Sequence, residues 1–269
     1  MASNTENNAQ LPRLLPRPHG SIAYHVTGDG PCVVLIPSLG RGAEDFDTLA
    51  ADLVQKGYLV LRPEPRGIAG STPLLDSDTL HDMAADIAAI LDETDLGPAI
   101  VMGHAAGNWV ARVLAHDRPD LIRAVALLAA IVSDPPPDDI RASITASFDM
   151  SLSEETRLGH LERVYFAKGS DARLWLEGWF PDVAKAQRRA AAMTSDTSWK
   201  QIFADQSALY LGALDDVISP PPDPDDLKKR IGPQAELRVI ANAGHALLPE
   251  QPQAVARALD DWMSTLPPA

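Results

Sequence analysis

Along this chain, apolar runs bounded by glycine and proline alternate with stretches whose apolar positions recur every three or four residues. Residues 22–26 alternate as a strand does, Gly28-Asp29-Gly30 turns them, and residues 32–36 form an unbroken apolar run suited to a central strand. Residues 43–56 carry Phe46, Leu49 and Leu53 at helical spacing and stop at Gly57, and residues 58–61 give the next short strand. Residues 79–91 place Leu80, Met83, Ile87 and Ile90 on one helical face, with Asp78 or Ser77 as the expected cap. A strand at 99–102, a helix through His116 and a buried strand at 124–131 follow. Strands alternating with helices in this way predict a mostly parallel α/β sheet with helices on both faces.

The pattern breaks after Ile131. From 133 to 205 there is no buried strand; Pro135-Pro136-Pro137 opens the segment, and amphipathic stretches follow at 140–148, 154–166, 172–180 and 183–193. The sheet pattern resumes at 208–211 and 236–240 and ends in a helix over 253–264, with residues 220–226 read as a loop leading into a helix. The segment therefore reads as a helical cap inserted between two core strands, a placement that usually covers a pocket. The organisation expected is a flexible lead-in over 1–20, a core formed by 21–132 and 206–269, and a cap over 133–205.

Composition narrows the partners. The chain has 269 residues, enough for one large α/β domain, and a formal net charge of −14, which argues against nucleic acid or an anionic membrane as a main partner. Its single cysteine, Cys32, excludes an intramolecular disulfide and lies in an apolar run, as a packed thiol does. Met1–Gln10 lacks the apolar segment of a signal peptide, and no run reaches the length of a membrane span, so a cytoplasmic protein is expected. A homodimer is compatible with the chain.

The chemistry concentrates around residues 99–110. Gly103 and Gly107 bracket a turn with three residues between them, the frame of the G-x-S-x-G nucleophile elbow, in which glycines let strand and helix approach and the middle residue is thrust into a site. The middle residue here is Ala105, which has no hydroxyl. Other landmarks stand in order around it: Pro37-Ser38-Leu39-Gly40 after an early strand, Arg62-Pro63-Glu64-Pro65-Arg66-Gly67-Ile68-Ala69-Gly70-Ser71 after the next, an acid loop Leu211–Pro220 after the cap, and Asn242-Ala243-Gly244-His245 near the end. On these motifs the chain resembles the α/β-hydrolase superfamily from about Ile22 to Met263, with alanine where its members carry the nucleophile, as in a Gly-His-Ala-x-Gly-Asn subset.

The resemblance implies an α/β-hydrolase fold and names site residues. His245 would be the base, and Asp216, four residues before the loop proline, its carboxylate ahead of Asp215; such an acid holds the tautomer that leaves the other ring nitrogen basic. The backbone N–H groups of Leu39 and Ala106 would form an oxyanion hole that does not depend on the side chain at 105, and the helix starting at Ala106 would add the positive end of its dipole. Pro37-Ser38 departs from the family's His-Gly, which leaves the backbone there open and adds a hydroxyl. Glu64 and Arg66 are expected to tie loops together. Ser38, His104, Trp175 and Trp179 are the side chains expected at the substrate.

Three accounts of Ala105 stand open: an engineered Ser-to-Ala change that holds substrate, a natural alanine with water activated directly by His245 and Asp216, or a binding protein that kept the pocket. Most of the aromatics lie in the cap, which favours a small or medium-sized, mostly apolar organic substrate, and no phosphate loop, metal cluster or nucleotide fingerprint is present, so no cofactor is expected. The reading is a cofactor-free hydrolase of an ester, lactone or related carbonyl compound; a lyase or C–C bond-cleaving enzyme and a small-ligand-binding protein are the alternatives.

Overall fold

Cys32, Val34 and Ile36 pack on one face of the sheet and Val33 and Leu35 on the other, so the five-residue run is buried on both sides. The computed structural model of the chain describes residues 11–132, 135–201 and 206–267. Its strands are β1 (Arg13–Arg17), β2 (Gly20–Thr27), β3 (Cys32–Ile36), β4 (Leu59–Pro63), β5 (Ala99–His104), β6 (Ile122–Leu128), β7 (Ser207–Ala213) and β8 (Ala235–Ile240). They form one sheet in the order β1-β2-β4-β3-β5-β6-β7-β8, antiparallel at β1/β2 and β2/β4 and parallel elsewhere.

The helices are α1 (Asp47–Gln55), α2 (Leu80–Thr94), α3 (Gly107–Asp117), α4 (Asp138–Ser147), α5 (Glu154–Val164), α6 (Pro181–Met193), α7 (Pro224–Ile231), α8 (Leu247–Glu250) and α9 (Pro252–Met263). Helices α2, α3 and α7 cover one face of the sheet through Ile87, Leu114 and Leu227, and α1 and α9 cover the other through Leu53 and Leu259. Each such side chain contributes about 1.5–3 kcal/mol by leaving water. Helices α4, α5 and α6 lie between β6 and β7 and share a third apolar cluster, which also takes in Ile218 and Ala246 from the loops after β7 and β8. Cap and site loops are thus packed as one body. Among the described residues no helix is long and apolar enough to cross a membrane.

Three expectations are corrected. Residues 13–17, expected as part of a flexible lead-in, are the edge strand β1; its side chains are mostly exposed, so no apolar pattern marked it, and Pro16 is tolerated because the strand is an edge. The cap of α2 is Thr79 rather than Asp78 or Ser77: its N–H donates to Asp82 Oδ2 at 2.8 Å, while Asp78 is taken up by Arg66 and the Leu75 N–H. Residues 172–180, expected as a helix, hold only a 3₁₀ turn at Ala172–Trp175, and the chain beyond it passes through Gly178 at φ +79°. Met1–Gln10 and the expected ends of the cap, residues 133 and 205, lie outside the described residues.

Arg41 seats the cap on the core. Its Nε donates to Asp45 Oδ2 at 2.8 Å and its Nη1 to the Glu177 carbonyl at 2.6 Å, and the guanidinium lies 5.0 and 4.7 Å from the ring centroids of Trp175 and Trp179. Burial already holds the Asp45 carboxyl above its ordinary value. Removing Arg41 leaves that acid buried without a counter-charge, so Arg41→Ala is expected to cost about 3–5 kcal/mol in urea unfolding. Arg41→Lys, which keeps the charge and loses the fork, should fall between. A loss in Arg41→Ala below about 1 kcal/mol, as for an exposed pair, would show that the clamp adds nothing.

Candidate active site

Strand β5 delivers Ala105 in the left-handed region, φ +45°, where a residue with a Cβ is held only if its surroundings enforce it. The enforcement is visible. The Ala105 N–H donates to the Leu128 carbonyl at 2.8 Å, and the Ala105 carbonyl accepts from the Asn108 N–H at 3.1 Å and from the Asn108 side-chain amide. The flanking glycines have no room for a side chain: a Cβ on Gly103 would lie 2.5 Å from the Asn108 nitrogen, and one on Gly107 would lie 2.4 Å from the Ile36 carbonyl oxygen. Helix α3 begins at Gly107 with Ala106 as its cap residue, one residue later than the sequence suggests.

The acid and the histidine come from the loops after β7 and β8. Asp216 Oδ1 accepts from the Ile218 and Ser219 N–H groups at 2.8 and 2.9 Å, and Oδ2 lies 2.9 Å from His245 Nδ1. A carboxylate held by two amides is an acceptor, so Nδ1 carries the proton and Nε2 is the basic nitrogen. The side chains of His245 and Asp216 are 4% and 0% exposed, which removes the pair from bulk water. Asp215, the neighbour of Asp216, is exposed. Gly244 lets the histidine loop press on the cap, since a Cβ there would lie 2.6 Å from the Tyr165 carbonyl oxygen. Glu250 bridges the same contact, accepting from the Gly244 and Ala167 N–H groups at 2.7 and 2.8 Å.

Ala105 and His245 line one cavity of about 330 Å³, together with Ser38, Leu39, Ala106 and Tyr165. Neither the Leu39 nor the Ala106 N–H meets a protein acceptor among the described residues, and His245 Nε2 meets no protein donor there. A smaller, almost wholly apolar recess of about 50 Å³ shares Ser38, Leu39, Ala106 and Trp109 with it and runs toward α2. The loop bearing Leu39 is held by the cap: the Gly40 N–H donates to Gln187 Oε1 at 2.8 Å, and the Gly40 carbonyl accepts from the Phe180 N–H at 2.9 Å. Burial pushes the Tyr165 phenol up to about 12, so it stands beside His245 as a neutral ring at 5.7 Å between centroids. Among the described residues no group of three His, Cys, Asp or Glu side chains could hold a metal ion.

Three of the side chains expected at the substrate line neither cavity. Trp175 and Trp179 pack edge to face on each other at 6.0 Å and take up Arg41. His104 is fully buried behind the site, its Nε2 donating to the His245 carbonyl at 3.0 Å. Sequence identifies aromatic residues and not the direction they face, and Trp109, Phe148 and Tyr165 take the lining positions instead. Glu64 and Arg66 tie loops, through His25 and the Ala43 N–H in one case and Asp86 and Asp78 in the other.

His104 carries a pH signature. Desolvation first, and then the neighbouring His245, lowers its pKa from 6.5 to about 3. The unfolded chain takes up a proton there near pH 6.5 and the folded chain only near 3. The stability it contributes is therefore complete above about 6.5 and is lost as pH falls toward about 3. His104→Gln, which keeps an N–H for the His245 carbonyl, is expected to flatten the fall of the urea midpoint over that window. An unchanged slope would show that His104 is already charged in the folded state.

The model of the Alpha/beta hydrolase family matches residues 33–258. The sn-1-specific diacylglycerol lipase ABHD11 of Mus musculus is 23% identical over 97% of this chain and 89% of its own. The (E)-2-((N-methylformamido)methylene)succinate hydrolase of Acinetobacter baylyi is 23% identical over 91% of this chain and 94% of its own. Among solved structures, a thermophilic esterase from Thermogutta terrifontis superposes with a TM-score of 0.72 at 20% identity, covering 92% of this chain and 94% of that one.

Proposed function

The chain belongs to the α/β-hydrolase family, and on that premise we propose that it hydrolyses an ester, a lactone or a related carbonyl compound by direct attack of water, with Ala105 as its working residue. The observation that carries this reading is the sealed His245–Asp216 pair, whose free Nε2 shares a cavity with Ala105 and with two unclaimed backbone amides. The relatives named as a lipase and a succinate-derivative hydrolase give support of the same kind.

The substrate carbonyl oxygen sits toward the Leu39 and Ala106 N–H groups, which strengthen their hold as negative charge develops on it. A water beside the Ala105 methyl gives a proton to His245 Nε2 as its oxygen bonds to the carbonyl carbon. The tetrahedral intermediate collapses by breaking the bond to the leaving group, which takes the proton back from His245. Asp216 holds the imidazole in the required tautomer and stabilises the imidazolium between the two transfers. No covalent enzyme intermediate forms, and each step balances without a cofactor.

A second reading is favoured by one observation, the strained backbone at 105. A left-handed turn that thrusts a side chain into the cavity gains little from presenting a methyl group, and it would suit a serine replaced by alanine to hold substrate. The test is turnover of a panel of aryl esters and lactones by the chain as it stands, with His245→Ala as the blank. Product from the first and none from the second supports direct hydrolysis; silence in both across the panel counts against it.

A further inference from the structure

The lining of the main cavity is at odds with the charge of the chain. Aspartate and glutamate outnumber lysine and arginine by 37 to 23, yet among the described residues lining this cavity there are two arginines, Arg141 and Arg188, and no carboxylate. Arg141 is already ion-paired, with Asp138. Arg188 has no carboxylate partner among the described residues, although its neighbour on α6, Arg189, pairs with Asp76 at 3.1 Å. An arginine with no ion partner keeps five donors available for a ligand.

Arg188 is also held in place. Its guanidinium carbon lies 5.3 Å from the centroid of Phe148, which lines the same cavity, and its charge reaches the Tyr165 phenol beside His245. It stands on the cap side of the cavity, on the helix whose preceding residue, Gln187, holds Gly40 next to the oxyanion loop. Ala105 and His245 stand on the core side. A ligand in the cavity thus meets a reacting centre presented by the core and a stacked cation presented by the cap.

Resting on the hydrolytic reading for its reacting end, we infer that the substrate is a carbonyl compound bearing a free carboxylate, and that Arg188 binds this group on the cap side of the cavity. A planar carboxylate takes two parallel N–H donors from a guanidinium, so Arg188 supplies orientation as well as charge. The aromatic lining of Trp109, Phe148 and Tyr165 suits an apolar spacer. The cavity then selects half-esters, ester-acids or lactone-acids over neutral esters of the same length.

The test reads binding, so it does not depend on turnover. Affinities of 4-phenylbutyrate and of its neutral counterpart 4-phenylbutanamide are measured by calorimetry for the unmodified chain and for Arg188→Ala, Arg188→Lys and Arg141→Ala. The unmodified chain should bind the anion about 10-fold or more tighter than the amide, the range of a charge-assisted hydrogen bond. Arg188→Ala should abolish that preference, weakening the anion by far more than the amide, and Arg188→Lys should restore part of it. Because the guanidinium is reached from solvent, added salt should weaken the anion and leave the amide alone. Equal affinities for the pair in the unmodified chain, failure of both to bind, a preference that survives Arg188→Ala, or a larger loss in Arg141→Ala would each overturn the assignment. An anion preference that behaves as expected in a chain hydrolysing nothing would overturn the hydrolytic reading and leave the carboxylate site standing.

Discussion

His245→Ala is expected to lower kcat/KM for any ester the chain hydrolyses by about 10²–10⁴-fold, the contribution typical of a general base. The residue is the basic group at the reacting end of the cavity, since His104 behind it is held neutral down to about pH 3 and lines no part of it. Asp216→Asn should approach the same loss. An asparagine at 216 can keep its oxygen on the Ile218 and Ser219 N–H groups, but it then turns its NH₂ toward His245 Nδ1. The imidazole answers by placing its proton on Nε2, and the base is gone although the geometry is intact. Asp215→Asn should leave turnover nearly unchanged, because that side chain is exposed and His245 Nδ1 is engaged by Asp216 instead. Initial rates on one ester, with circular dichroism to confirm folding, check all three. Full activity in His245→Ala would remove the base from the mechanism, and the reverse order of the two aspartates would show that the loop presents its other acid.

Much of this arrangement was legible in the sequence because the core strands are buried on both faces. Residues 32–36 and 99–102 have no polar positions to interrupt them, and the glycines at 103 and 107 mark a turn that has no space for a Cβ. Asp216 and His245 could be picked by their place after β7 and β8. Elements that depend on neighbours were not legible. Strand β1 is an edge strand paired with β2, and with only Leu15 reaching the core and Arg17 pairing with Asp86 its side chains show no apolar period. Trp175 and Trp179 were expected at the substrate as cap aromatics and His104 for its place in the elbow, but the cap packs the first two on Arg41, and the backbone of His245 engages the third. Gln187, Arg188 and Glu250 gave no signal, because a polar residue on an amphipathic helix reads as solvated until the surface it touches is known.

Ala105→Ser is expected to discriminate the accounts of the missing hydroxyl, because it adds a single oxygen at a turn already shaped to present it. The backbone at 105 is left-handed in either form and is held by Leu128 and Asn108 through main-chain groups, so the variant should fold as the parent does. The new Oγ would project where the Ala105 methyl meets the cavity, on the side that His245 also lines. If the chain works by direct attack of water, that oxygen takes the place of the reacting water, and steady-state turnover of the native substrate falls or stays flat. If alanine replaced a serine, the hydroxyl gains a base that is already in place. Turnover then rises with a burst close to one equivalent per chain, because attack by Ser splits the reaction into acylation and deacylation. Rapid-mixing kinetics with an aryl ester read the burst, and intact mass reads the acyl adduct, with Ala105→Ser/His245→Ala as the blank. A burst together with silence in the parent would sink direct water attack. Turnover in the parent that His245→Ala abolishes, and that Ala105→Ser does not raise, would sink the replaced serine. No turnover in either form, with a ligand that binds in the cavity, would leave a protein that uses this site for binding alone.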